Sequence, residues 1–457
     1  MLTTRRRVPP AASAMIRGRT IMRDDQSAKG PSFAELRPYK HDTDAEPDRS
    51  GFPVHPDLVE RLLQDKDQPD PDGIVPHTLA TCAAYSYAGF AQRGDPGTMA
   101  MIMSRLGLEE NHCQVFEQRV DAMYIASAAY LVQDRDRRVA ILCYRGTQPE
   151  DIISILTDAD VRPEMLSVEL NNRRYDVHAG FYRNIRATRH LVVEALRRAL
   201  RGESVVPGVE GTRGDGLEAL YITGHSLGGA MAALMGVVLT HEPRYRPIAE
   251  KLRAVYTFGQ PMVGGPEFAQ ACEEAVVPHG GHLLRDRMLR YIFDRDVVPA
   301  LPPRPVGPYA PFGREFHYRR PRGPMDASLT FAADLAIEAV SLPGDLLRTL
   351  MNNPIRQPGA RLGELTLRTA EGVRRSVGPL LRTRQHGWSE NTEPGLHYPQ
   401  MDSLAGLAVV APLAFFATRL ALTRTIPFKY SFDDHGPGHY VNALAPPGVL
   451  SEFGDVL

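Results

Sequence analysis

The chain has 457 residues, of which 43% are hydrophobic and 23% charged, an ordinary composition for a globular protein with a substantial buried core. Its formal net charge of −1 gives no positive field that would attract nucleic acid, so the sequence predicts no nucleic-acid partner. An uninterrupted apolar stretch of about 20 residues is absent, so we expect no conventional transmembrane helix.

The cysteines indicate the redox environment. Four of them are scattered without a Cys-x-x-Cys pair, which favours small core residues in a reducing compartment over a disulfide framework; they are Cys82, Cys113, Cys143 and Cys272. The N-terminal region is rich in arginine but has no continuous apolar run typical of a signal peptide. We therefore expect a cytoplasmic protein, with peripheral membrane association as an alternative.

The elements predicted along the chain alternate between strands and helices. Residues 1–55 are polar and aperiodic, which predicts disorder, and order is expected to begin near His77. The elements that follow are strands at Met123–Val132 and Val139–Tyr144, a helix at Tyr182–Leu200, a strand from Ala219, and strands at Ala254–Phe258 and Leu289–Phe293. This alternation predicts an α/β fold with a mostly parallel central sheet covered by helices on both faces.

The pattern changes after about residue 304. A helix is predicted between Asp326 and Met351, and a distinctly apolar stretch follows at Leu404–Thr418. That stretch is either a helix buried against the core, kinked at Pro412, or a lid or anchor that meets a lipid interface. The predicted organisation is a disordered segment at 1–55, a core at 56–303, a largely helical insertion at 304–424 and a return to the core at 425–457.

The segment Tyr221–Ala230 predicts a strand, a Gly-x-Ser-x-Gly turn and a helix of small residues. Such a turn lifts its serine above a sheet, within reach of a base, and identifies Ser226 as the candidate nucleophile. Gly224 and Gly228 fit a tight turn in which a side chain would be crowded. The alternative is that Ser226 only caps the following helix.

A serine hydroxyl needs an imidazole to accept its proton and a carboxylate to orient that imidazole. The candidate acids are Asp296 and Asp294, which follow an apolar strand; position favours Asp296 because it lies farther past the strand end. The candidate bases are His435 and His439. His225 is excluded as the base because the turn directs its side chain away from Ser226.

A zinc site at the two late histidines is rejected. The intervening Gly436-Pro-Gly438 cannot hold a helical i,i+4 pair, and the glutamate of a metalloprotease motif is missing. Hydrolysis by an activated serine requires neither a metal nor an organic cofactor, and none is expected.

An oxyanion formed at Ser226 would need two preorganised backbone N–H groups. One is expected from Leu227, directly after the nucleophile, and the other from the loop after the strand Val139–Cys143, where Thr147 lies. Thr147 could alternatively be an ordinary turn residue or a helix cap.

As a set, these motifs resemble the class 3 (fungal-type) lipase family of α/β-hydrolases. The matching segments are Tyr144-Arg-Gly-Thr147, Val177-His-Ala-Gly-Phe181, Gly224-His-Ser-Leu-Gly-Gly229, Thr257-Phe-Gly-Gln-Pro261 and Asp296-Val-Val-Pro299. The resemblance selects Asp296 over Asp294, favours His435 because Tyr440 follows it by five residues, and assigns Thr147 to the oxyanion hole. It also implies a lid near residues 151–171. The connection from Asp296 to His435 is longer than in compact members of the family.

We therefore expect a serine carboxylic-ester hydrolase, with acylglycerols implied as substrates by the resemblance. A phospholipase A-type enzyme or a short-chain esterase is the alternative within hydrolases, and an acyltransferase could use the same serine. A non-catalytic lipid-binding module is the alternative from another class. The expected partner is a lipid or another acyl ester, with peripheral membrane contact.

Overall fold

The computed structural model describes residues 26–36, 54–64, 73–88, 94–120, 125–146, 163–209, 214, 216–278, 280–302, 307–320, 387–391, 433–446 and 449. In this part of the chain nine strands form one sheet in the order β1-β2-β3-β4-β7-β8-β9-β10-β11. The strands are β1 Ser27–Lys29, β2 His112–Val120, β3 Ile125–Gln133, β4 Val139–Tyr144, β7 Ala219–His225, β8 Leu252–Phe258, β9 Met288–Phe293, β10 Arg314–Arg319 and β11 Gly387–Asn391. A separate hairpin pairs β5 Glu164–Met165 with β6 Asp176–Val177.

The centre of the sheet is parallel. Strands β4, β7, β8, β9 and β10 all pair in parallel, whereas antiparallel pairs complete the sheet at both ends. The parallel strands β4 and β7 are buried along their whole length, which is why they read as continuous apolar runs rather than alternating ones. Because parallel strands end at one edge, the loops after β7, β8 and β9 meet there.

Helices cover both faces of this sheet. The described α-helices are α1 Leu58–Gln64, α2 Ile74–Tyr85, α3 Pro96–Leu106, α4 Ala179–Leu200, α5 Leu227–His241, α6 Arg246–Ala249, α7 Pro266–Glu274 and α8 Pro437–Leu444. Helices α4 and α5 pack on the face that carries Leu220 and Ile222, while α1, α2, α3 and α8 pack on the face that carries Tyr221. Short 3-10 helices occur at Pro243–Tyr245, Leu284–Arg287, Val298–Ala300 and Asp433–His435. None of the helices in the described ranges is long and apolar enough to cross a membrane.

The predicted α/β fold, with a mostly parallel central sheet and helices on both faces, is confirmed. Strand β4 occupies the predicted range, and the helix predicted at Tyr182–Leu200 begins slightly earlier, at Ala179. Two strands lie within the range predicted as an insertion, since β10 and β11 both belong to the central sheet. The core therefore continues past residue 303. The helix predicted at Asp326–Met351 and the apolar stretch Leu404–Thr418 lie outside the described residues.

The N-terminal segment also contains ordered structure. Strand β1 falls within residues 1–55, which the sequence predicts to be disordered, and it pairs antiparallel with β2. Its polar, three-residue sequence gives no periodicity that could reveal it.

The turn after β7 depends on very close backbone packing. A Cβ atom at Gly228, in the first turn of α5, would lie 2.2 Å from the Tyr144 carbonyl oxygen and 2.9 Å from the Gly146 nitrogen. A Cβ at Gly224 would lie 2.3 Å from the Gly228 carbonyl oxygen. These neighbours are main-chain atoms that cannot rotate away, so α5 can pack against the ends of β4 and β7 only with glycine at both positions.

We predict that Gly228→Ala destabilises the protein by at least about 3 kcal/mol, the upper range of overpacking. The sign is informative because alanine normally stabilises a helix by roughly 1 kcal/mol relative to glycine. Gly265→Ala is the control, since its nearest neighbour would be the Pro308 oxygen at an ordinary 3.4 Å. Urea unfolding measures both variants, and equal stability of the two would contradict the packing argument.

Candidate active site

Ser226 occupies a strained turn between β7 and α5. Its backbone angles are φ 60° and ψ −129°, a conformation that non-glycine residues rarely adopt. The Ser226 N–H donates to the Phe258 carbonyl oxygen at 2.8 Å, which ties the turn to the end of β8. Its side-chain oxygen is buried and has no hydrogen-bond partner within the described part of the chain. In the described residues Ser226 makes no side-chain bond as a helix cap, and its strained backbone is the geometry expected of a nucleophile turn.

His435 and Asp296 form a buried pair at the same edge of the sheet. The His435 Nδ1 atom lies 2.8 Å from Asp296 Oδ2, and Asp296 itself is fully buried. Because a carboxylate can only accept, the proton resides on Nδ1 and leaves Nε2 as the basic nitrogen of the neutral ring. That Nε2 atom is buried and has no partner among the described residues. The arrangement provides a base with its lone pair available.

Gly259 places this pair next to the nucleophile turn. It follows Phe258, which binds the Ser226 N–H, and a Cβ at Gly259 would lie 2.8 Å from both Asp296 Oδ2 and the His435 ring. Its φ of +58° also favours glycine. The histidine and the aspartate therefore pack directly against the main chain beside Ser226.

Tyr440 completes the environment of the carboxylate. Its hydroxyl donates to Asp296 Oδ2 at 2.5 Å and accepts the Phe293 N–H at 3.2 Å. The Asp296 Oδ1 atom accepts the N–H of Val298 at 2.9 Å. With hydrogen bonds at both of its oxygens, Asp296 is fixed in the orientation that His435 requires.

Asp294 takes a different place from Asp296. Its backbone is left-handed, with φ 42°, and its carbonyl oxygen lies 2.8 Å from His317 Nε2. The carboxylate lies near Arg295, at 3.9 Å, whereas the carboxylate bonded to His435 is that of Asp296. The other candidate base, His439, stacks on Phe293 with ring centroids 5.2 Å apart. The imidazole bonded to Asp296 is that of His435.

Asp434 anchors the loop that carries His435. Its carboxylate binds Arg320 Nη2 at 3.0 Å and accepts the Arg295 N–H at 3.2 Å, so the loop is joined to the ends of β9 and β10. Burial raises the pKa of Asp434 to about 6, and the nearby Asp294 contributes in the same direction. Neither arginine could be assigned to this site from the sequence, because arginines are abundant and those near Asp434 come from distant segments.

His225 is a site residue that the sequence analysis set aside. Its Nε2 lies 2.7 Å from the His435 carbonyl oxygen and its Nδ1 lies 2.9 Å from the Tyr87 hydroxyl. The rings of His225 and His435 are 4.5 Å apart. The His225 ring makes no hydrogen bond to the Ser226 side-chain oxygen, which has no partner among the described residues, but it contacts the candidate base.

The described residues include only part of the predicted oxyanion hole and of the predicted lid. Leu227 is the first residue of α5, where the backbone N–H groups have no intrahelical acceptor, so its N–H is suited to bind an oxyanion. Thr147 lies outside the described residues, as do residues 151–162 of the predicted lid. In the described ranges no group of three or more His, Cys, Asp or Glu side chains could hold a metal ion.

Comparisons with known proteins find a family that matches part of this chain. Residues 141–306, which include Ser226 and Asp296, match the profile of the family described as Lipase (class 3). Over this region, about a third of its length, the chain is similar to the class 3 lipase family. The predicted resemblance is confirmed.

The chain is similar over part of its length to several curated proteins. It is 40% identical over 89 residues to a lipase of Rhizopus niveus, covering 19% of this chain and 20% of that protein. It is also 40% identical over 85 residues to a triacylglycerol lipase of Nicotiana tabacum, covering 18% and 13%. The chain thus spans about a fifth of the length of the curated relatives it matches, or less.

The chain also aligns with solved lipases. Lipase II from Rhizopus niveus aligns with a TM-score of 0.37 and 22% identity over 57% of this chain and 81% of that one. An Rhizomucor miehei lipase propeptide complex aligns with a TM-score of 0.37 and 22% identity over 54% and 65%.

The raised pKa of Asp434 predicts a pH-dependent stability. The folded state retains this proton to about pH 6, whereas an unfolded aspartate loses it near pH 4, so Asp434 lowers the free energy of unfolding as pH rises between these values. At roughly 1.4 kcal/mol per pKa unit, the loss is about 3 kcal/mol. In urea unfolding, the stability of wild type relative to Asp434→Asn should fall by this order from pH 4 to pH 7.

The exposed neighbour Asp433 offers a control, because Asp433→Asn removes the same charge from the adjacent position. Because Asp433 is exposed, this variant changes the charge of the loop without removing a buried carboxyl, and the change from pH 4 to pH 7 should be larger for Asp434→Asn. A wild-type minus Asp434→Asn difference that is flat with pH would contradict the assigned role of burial.

Proposed function

We propose that the protein is a serine carboxylic-ester hydrolase that cleaves acylglycerols through an acyl-enzyme intermediate. The observation that carries the proposal is the buried hydrogen bond between His435 Nδ1 and Asp296 Oδ2, at 2.8 Å, packed against the main chain beside Ser226. The match of residues 141–306 to the class 3 lipase profile supports the acylglycerol class, as do the names of two similar proteins, a lipase and a triacylglycerol lipase.

In the first half-reaction, Ser226 Oγ attacks the ester carbonyl carbon while His435 Nε2 accepts the hydroxyl proton. The Asp296 carboxylate stabilises the imidazolium that forms. The oxyanion accepts the Leu227 N–H, with the second donor assigned to Thr147 by the family resemblance. Collapse of the tetrahedral intermediate breaks the ester C–O bond, and His435 returns its proton to the departing alcohol.

The second half-reaction regenerates the enzyme. His435 Nε2 accepts a proton from a water molecule while the oxygen of that water attacks the acyl carbon attached to Ser226. Collapse then releases the carboxylic acid and restores the Ser226 hydroxyl with the proton from His435. If an alcohol replaced this water, the same residues would transfer the acyl group.

We predict that wild type hydrolyses nitrophenyl esters and that Ser226→Ala lowers kcat/KM by at least about 10³-fold at every chain length. Activity that increases from short to long acyl chains would support a lipase. Activity confined to short chains would identify a small-ester esterase. A preference for phospholipid vesicles over acylglycerol emulsions would identify a phospholipase. Equal, measurable rates for both proteins would overturn the serine mechanism. No activity in either protein would favour a different substrate or a non-catalytic lipid-binding module.

The two candidate acids provide a matched pair of variants. We predict that Asp296→Asn lowers kcat by about 10³- to 10⁴-fold, because an amide no longer fixes the productive tautomer of His435. Asp294→Asn should retain kcat within about threefold, since asparagine tolerates its left-handed backbone. Steady-state kinetics with one ester compares them. Comparable losses in both variants would contradict the assignment of Asp296.

A further inference from the structure

The geometry points to a role for His225 beyond filling space beside the nucleophile. We propose that His225 is a positioning residue for the base: as an uncharged hydrogen-bond donor it fixes the main chain of His435, and Tyr87 fixes its tautomer. This inference rests on the proposed function, in which His435 is the base.

The hydrogen bonds define the protonation state of His225. The His435 carbonyl oxygen can only accept, so His225 Nε2, at 2.7 Å, must carry a proton. In the neutral ring Nδ1 is then an acceptor, and the Tyr87 hydroxyl at 2.9 Å donates to it. Burial lowers the pKa of His225 well below its ordinary value, and the neighbouring His435 adds to this effect. Both ring nitrogens are therefore used by the neutral form.

Neutrality is needed at this position. The ring centroids of His225 and His435 are 4.5 Å apart, so a charge on His225 would oppose the imidazolium that His435 becomes during catalysis. The third ring against His225, that of Tyr440, is uncharged as a phenol and has its centroid 5.7 Å away. A neutral imidazole can thus donate to the His435 backbone without opposing the charge on its side chain.

The position of His225 explains what its hydrogen bond fixes. His225 is the last residue of β7 and directly precedes Ser226. His435 lies 210 positions later in the chain. The bond therefore connects the nucleophile turn to the base independently of Asp296. A displacement of about 1 Å between reacting groups can reduce the rate by roughly 10²-fold.

Gly146 provides the space for the second partner. A Cβ at Gly146 would lie 2.0 Å from the Tyr87 hydroxyl oxygen and 2.7 Å from the His225 carbonyl oxygen. The Tyr87 hydroxyl thus lies between the loop after β4 and the nucleophile turn. Glycine at this place in the Arg-Gly-Thr motif is what allows Tyr87 to reach His225.

Three variants test the proposal. Glutamine at position 225 can donate through its amide nitrogen and accept from Tyr87 through its oxygen, whereas leucine fills similar space and does neither. We expect His225→Gln to keep kcat within about fivefold of wild type, and His225→Leu to lower kcat by about 10²-fold with KM nearly unchanged. Tyr87→Phe, which leaves Nδ1 without its donor, should lower kcat by about tenfold.

A second readout does not require activity. In wild type and His225→Gln, NMR of ¹⁵N-histidine-labelled protein should show the His435 Nδ1 proton that Asp296 accepts, and this resonance should be broadened or lost in His225→Leu. If His225→Leu fails to fold, His225→Gln and Tyr87→Phe decide by the same measurements. Similar kcat and NMR signals in all the folded variants would overturn the proposal.

The proposed function is checked separately by fluorophosphonate labelling of wild type and Ser226→Ala. Failure to label wild type would count against the serine hydrolase. The NMR comparison would still decide whether His225 positions His435.

Discussion

The close approach of main-chain atoms around the turn at Ser226 is the constraint on which the rest of the site depends. Helix α5 starts where β7 ends, and the carbonyl oxygen of Tyr144 at the end of β4 occupies the space that a side chain at Gly228 would need. This packing keeps the serine in a conformation that its own backbone disfavours. The fully buried neighbouring strands supply the rigidity that maintains the strain.

The same principle extends to the other side of the site. Gly259 lets the Asp296–His435 pair contact the main chain at the end of β8, and the Phe258 carbonyl oxygen just before it binds the Ser226 N–H. Phe258 therefore binds the nucleophile turn, and Gly259, the next residue, contacts the acid–base pair. The packing at the ends of these parallel strands therefore sets the relative positions of Ser226, Asp296 and His435.

The sequence predicts the parts of this fold that depend on continuous apolar strands. Strands β4 and β7 could be predicted because both of their faces are buried, so apolar residues are favoured at successive positions and not only at alternate ones. Strand β10 was not, because its sequence contains arginine, glutamate and histidine and resembles an exposed loop. In the structure its Glu315 is almost fully buried against Arg290, and a pattern of polarity alone cannot reveal charges that neutralise each other inside the core.

That buried pair also clarifies why the acid could not be chosen from spacing alone. Arg290 donates to the Pro299 carbonyl oxygen at 2.8 Å and to that of Gln260 at 3.0 Å, so it holds the loops after β9 and β8 together. The turn of the loop after β9 then determines which aspartate faces His435. Two positions separate Asp294 from Asp296, and position past the strand end only favours Asp296; the choice is fixed by the folded loop or by a resemblance to a family with that loop.

The late return of the histidine is compatible with this rigid site because the chain belongs to the core on both sides of the return. Asp296 and His435 are separated by 139 positions, and strands β10 and β11 of the central sheet lie between them. The return itself is anchored by local contacts: Tyr440 and Val441 are buried, and Asp434 is bonded to Arg320. Local anchoring near His435, rather than the length of the connection, therefore decides where the base lies, and a long insertion can be accommodated without moving it.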